Sequence, residues 1–103
     1  MTDSVALVRC ANYDPAQVEG ALRRAMEYLG GMGQFVHPGE RVVVKPNLLR
    51  MSKPEAAIVT HPAVVRAVVR LAQESGGIVT IADSPGGPLN APLMRRAYRQ
   101  SGW

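Results

Sequence analysis

Apolar positions in this chain fall into blocks. Short β-branched runs ending on a charged or amide residue are separated by longer stretches with helical spacing. The sharpest block is Arg41-Val42-Val43-Val44-Lys45-Pro46-Asn47, with consecutive valines bounded by Gly39 and Pro46. Such a run predicts a strand buried on both faces, as in parallel sheets covered by helices. Val5-Ala6-Leu7-Val8-Arg9-Cys10 predicts an earlier strand, and Gly77-Ile78-Val79-Thr80-Ile81-Ala82-Asp83 a later one.

The stretches between carry helix signals. Asp14 as N-cap, Pro15 at the first helical position and Gln17 three residues after the cap predict a helix start. Val18, Leu22, Ala25, Met26 and Leu29 then share one face, Glu19 and Arg23 pair outward, and Gly30-Gly31 ends the helix. Thr60-His61-Pro62 opens a second helix, with Thr60 or His61 at the cap. Val64, Val65, Val68, Val69, Leu71 and Ala72 bury one broad side of it, and Ser75-Gly76-Gly77 closes it. Residues 50–57 read as a loop, Ser84-Pro85-Gly86-Gly87-Pro88 as a turn, and Asn90-Ala91-Pro92 as the cap of a third helix carrying Leu93, Met94, Ala97 and Tyr98.

The order β-α-β-α-β-α predicts an α/β fold, a three-layer Rossmann-like arrangement with a small parallel sheet and right-handed crossovers, in a single domain over residues 1–103. Three strands are few for a doubly wound sheet. The expectation is an N-terminal part of a longer protein, its sheet edges covered by the remainder of the chain, by a partner or by a second copy.

Composition narrows the function classes. A 47% hydrophobic content in 103 residues suffices for one core. The single cysteine, Cys10, makes no intramolecular disulfide, and one thiolate cannot hold an iron–sulfur cluster or a structural zinc. No run approaches the roughly 18 apolar residues of a membrane span. Met1-Thr2-Asp3-Ser4 lacks the basic start of a signal peptide, so a cytoplasmic location without membrane insertion is expected. The net charge of +4 comes mostly from arginines at positions 23, 24, 66, 70, 95, 96 and 99, read as solvated helix faces. Aromatic residues are not interleaved with them, which argues against nucleic acid as a partner. A positive field still attracts a small anionic molecule.

In a parallel sheet the C-terminal strand ends and the following helix starts share one rim. That topology gathers Asn12, Lys45, Asn47, Thr60, His61, Asp83, Ser84, Gly86 and Gly87. Lys45 can bind a phosphate or carboxylate or exchange a proton; equally, it can form a structural ion pair with Asp83. Asn47 can donate to a ligand or hold its own turn. His61 sits where a helix start favours anions, and its imidazole can serve as a base, a metal ligand or a cap alone. Asp83-Ser84-Pro85-Gly86-Gly87 resembles a phosphate-cradling turn but matches neither nucleotide motif, and tight turning alone also explains its glycines. Ser84 lacks the context of a nucleophile elbow. Lys45, His61 and Asp83 are the catalytic candidates; Asn47, Thr60, Ser84, Gly86 and Gly87 are the ligand-binding ones.

Taken in order, Val5–Arg9, Gly39–Leu49, Thr60–Arg66 and Ala82–Gly87 resemble the amino-terminal part of the domain-of-unknown-function family 362. The resemblance implies an α/β domain with Lys45, Asn47, His61 and Asp83 at its site. Family members are typically longer, and many carry a ferredoxin-like segment with cysteine clusters for four-iron clusters. With only Cys10 here, an iron–sulfur cluster would belong to a C-terminal part or a separate subunit. The resulting expectation is a domain of an iron–sulfur-linked, redox-related protein that binds a small anion at the rim. The alternative is a non-catalytic module that docks a partner through its sheet edge.

Overall fold

The computed structural model describes residues 3–46 and 60–82. Helix α1 spans Pro15–Tyr28, strand β1 Arg41–Val44, helix α2 Pro62–Glu74 and strand β2 Ile78–Ile81, with a 3-10 turn at Met32–Gln34. The strands pair in parallel from Arg41↔Ile78 to Val44↔Ile81. Because parallel neighbours need a crossover, α2 closes a β1-α2-β2 unit.

Local chemistry sets both helix starts. The Asp14 carboxylate accepts from the Gln17 N–H at 3.2 Å, and Pro15 occupies the position where a missing N–H costs nothing. His61, not Thr60, caps α2, its Nδ1 accepting from the Ala63 N–H at 3.1 Å. At the far end of α1 the Gly31 N–H reaches back to the Met26 carbonyl at 2.7 Å and stops the helix.

Helix α2 lies between α1 and the sheet. On one side Val18 of α1 clusters with Ala63 and Ala67, flanked by Leu22 and Val64. Small residues at that contact let the two helices approach closely. Towards the sheet, the chain closes over Gly77, where an added Cβ would lie 2.8 Å from Val36, 3.0 Å from the Ala72 carbonyl and 3.1 Å from Val42. Sandwiching explains why α2 buries Ala63, Val65, Ala67, Leu71 and Ala72 around most of its girth, whereas the sequence suggests one broad side. Arg23 also ties the helices together, donating to Glu74 at 2.8 Å and to Glu19 at 3.0 Å; Arg70 approaches Glu19 at 3.4 Å. These guanidinium hydrogen bonds hold the Glu74 carboxyl below the usual glutamate range, and they raise the Arg23 pKa, with Glu74 contributing more than Glu19.

Two expectations about strands need correction. β1 is not buried on both faces: Val43 is 66% exposed, as is Ile78 at 61%. The reason is register, since α2 covers one side of the pair and the alternation puts Arg41, Val43, Ile78 and Thr80 on the other. Residues 5–10 form no strand. Without a neighbouring ladder, an apolar run has nowhere to place its backbone hydrogen bonds, and it lies against the helices with Ala6 and Val8 half-buried and Val5 and Leu7 exposed. The predicted turn at Ser84–Pro88 and the third helix fall outside the described residues.

Candidate functional site

The parallel register sends both strands out at one end of the sheet. The Ala82 N–H donates to the Val44 carbonyl at 3.1 Å, so Lys45 and Ala82 leave side by side. Lys45 is exposed and Pro46 behind it is buried. α2 runs back against the strands, which brings its N-terminus, with Thr60 and His61, to this same end. Lys45, Thr60 and His61 therefore share the rim that topology predicts for them. Asn47, Asp83, Ser84, Gly86 and Gly87 lie outside the described residues, and with them the suggested Lys45–Asp83 pair.

His61 is half-buried, and its surroundings restrict its chemistry. Because Nδ1 accepts the cap hydrogen bond, the neutral ring carries its proton on Nε2. The ring lies flat on Tyr13, with centroids 3.9 Å apart and planes within 5°. Tyr13 is held by a short turn in which the Asn12 side-chain oxygen accepts from the Asp14 N–H at 2.9 Å, and Cys10 Sγ donates to the Asn12 carbonyl at 3.1 Å. Asn12 is thus committed to its own turn. Sequence reasoning did not find Tyr13: stacking partners 48 positions apart leave no local signal beyond an aromatic residue just before a cap.

Beside this stack runs an open groove of about 550 Å³, bordered by Ala6, Val8, Tyr13, Leu22 and Val64. Its walls are mostly apolar, so its chemistry is shape rather than charge. His37, read in sequence as loop decoration, pairs through Nδ1 with Glu40 at 2.6 Å. Glu40 also accepts from the His37 backbone N–H at 2.7 Å; this bond first, and the imidazole second, hold its carboxyl below the usual range. The pair closes the turn into β1 and stands apart from the rim. Among the described residues no group of three His, Cys, Asp or Glu side chains is placed to hold a metal ion, and no helix is long and apolar enough to cross a membrane.

A thylakoid-associated protein of Synechocystis sp. (strain ATCC 27184 / PCC 6803 / Kazusa) is 47% identical over 85 residues, which cover 82% of this chain and 26% of that protein. The chain thus spans about a quarter of the length of this curated relative. No solved structure matches significantly. The model of the domain of unknown function DUF362 matches residues 42–103, from the first valine after Arg41 through both rim-forming strands to the last residue given. The chain belongs to the DUF362 family.

Proposed function

We propose that this chain supplies the anion-binding rim of a longer, redox-related protein. The observation that supports it is the parallel β1-α2-β2 register, which sets the exposed Lys45 at the same sheet end as the His61-capped start of α2. A cation beside a helix N-terminus attracts a phosphate or carboxylate through its own charge and the positive end of the helix dipole, the first-turn N–H groups being taken up by His61. Lys45 neutralises the anion, and Asn47 with the Gly86-Gly87 backbone orients it. His61 through Nε2, or Asp83, handles a proton. In this reading the strand pair is the nucleus of a larger Rossmann-like sheet continued by the rest of the protein.

An iron–sulfur cluster does not fit the residues of this chain, because one cysteine cannot ligate it. Redox linkage therefore depends on cysteines outside it, and no step is routed through a cluster. A second reading, docking without catalysis, is favoured by the uncovered sheet face at Val43 and Ile78. The thylakoid association in the relative's name suits a protein that works against a larger assembly.

Calorimetric titration with inorganic phosphate separates these readings. Lys45→Gln should weaken binding roughly tenfold, the loss of one charge-assisted contact, with the thermal melt unchanged. His61→Asn keeps a good cap but gives up the stack on Tyr13, so it should lower the melt slightly while removing any proton-transfer role. Unchanged phosphate affinity in Lys45→Gln, or an affinity loss that only follows unfolding, would sink the anion-binding reading and leave docking ahead.

A further inference from the structure

On the outer side of α1, away from its contact with α2, a second cleft of about 420 Å³ is lined by Arg9, Cys10, Ala11, Gln17, Gly20 and Arg24. Its two arginines are unlike their neighbour. Arg23 engages Glu19 and Glu74, whereas among the described residues neither Arg9 nor Arg24 has a carboxylate partner. Glu27 lies one turn on from Arg24, yet the pair is not made. Two guanidinium groups lining one cleft, neither with a carboxylate, favour an anion there.

Gly20 in the cleft is the second, independent observation. Glycine inside a helix costs about 1 kcal/mol relative to alanine, so its presence needs a reason. Packing gives none here, since a Cβ at Gly20 would meet nothing within 4 Å. Its backbone does not require glycine either, because the positive-φ glycines are Gly30, Gly31, Gly39 and Gly76. What the missing side chain does leave is open approach to the helix surface within the cleft, a common reason for glycine beside a ligand.

We propose that this cleft binds the phosphate group of a small molecule, with Arg9 and Arg24 as its cationic clamp, Gln17 as an amide donor and Gly20 as the open floor. Guanidinium groups suit phosphate because their planar N–H pairs match its oxygens. The site uses none of the residues assigned to the rim, so each stands or falls by itself.

The test is calorimetric titration of the full chain with inorganic phosphate, alongside the thermal melt of each variant. Arg24→Gln is expected to weaken binding at this site at least tenfold. Arg66→Gln, which removes another arginine without a partner from α2, should leave it unchanged. Gly20→Leu should raise the melting temperature through better helix propensity while abolishing this binding, a combination that a purely structural glycine would not give. Lys45→Gln, which weakens the rim, should spare the cleft. Equal weakening by Arg66→Gln would reveal unspecific charge attraction, and wild-type affinity in Arg24→Gln or Gly20→Leu would also overturn the proposal. Vesicles containing phosphatidate are the second probe: Arg24-dependent capture on them assigns the phosphate to a lipid headgroup, and phosphate binding without capture assigns it to a soluble phosphoester.

Discussion

Gly76 shows how a single residue joins the two halves of the β1-α2-β2 unit. It adopts φ +88°, and a Cβ there would lie 2.7 Å from Pro38 Cα, while its carbonyl accepts from the Gly39 N–H at 2.9 Å. The turn before β1 and the turn before β2 are pressed together at this point. Gly31 has nearly the same φ, +89°, but open space where its Cβ would be. Gly31→Ala should therefore cost only the strain of its φ +89°, ψ 160° backbone, about 1–3 kcal/mol, and Gly76→Ala should cost more, because backbone must also move. Denaturant unfolding of both variants checks this, and equal losses would contradict the close approach. In sequence Gly76 reads only as a helix stop. The residues that make it special, Pro38 and Gly39, are more than thirty positions away. Asp14 and His61 were legible as caps because capping is local, although sequence left Thr60 and His61 undecided.

Between elements, the Arg23–Glu74 contact joins the end of α2 to the middle of α1. Glu74 has a lowered pKa in the folded chain, chiefly through the Arg23 hydrogen bond. A carboxyl lowered on folding contributes stability that is complete above its ordinary value of 4.5 and is lost as pH falls through the lower folded value. The melting temperature of the wild type should exceed that of Glu74→Gln at neutral pH, by a small margin because the pair is solvent-exposed. The two curves should converge in acid, and added salt should narrow the gap. A difference that persists unchanged into acid would assign the effect to packing instead. Sequence periodicity revealed the Glu19–Arg23 half of this network, since neighbours four apart on a helix always meet. It could not reveal Glu74, whose position depends on how α2 packs. The same limit applies to strands: three valines in a row announce β structure, but which face a helix covers is decided by the crossover.

At the scale of the whole molecule, the sheet has two parallel strands among the described residues, and one of its faces is uncovered. This chain spans about a quarter of its curated relative, so the exposed Val43 and Ile78 belong to a surface that a longer protein has the means to cover. The alternation of β and α blocks made the α/β class and the shared rim legible. Val5–Cys10 misled because a strand is defined by its partner, and an apolar run carries no record of whether a partner is beside it. Of the rim residues, Lys45, Thr60 and His61 lie at one end of the β1-α2-β2 unit, since parallel pairing fixes which strand and helix ends coincide. The stack of Tyr13 on His61 was invisible because it arises from tertiary packing.

The most direct measurement is residue-resolved amide NMR of the full chain during titration with inorganic phosphate. Saturable shifts are expected at Lys45, Thr60, His61 and Ala63, where the strand end meets the capped helix start. Shifts confined to the cleft around Arg9 and Arg24, or scattered evenly over the arginine-bearing helix faces, would contradict an anion-binding rim.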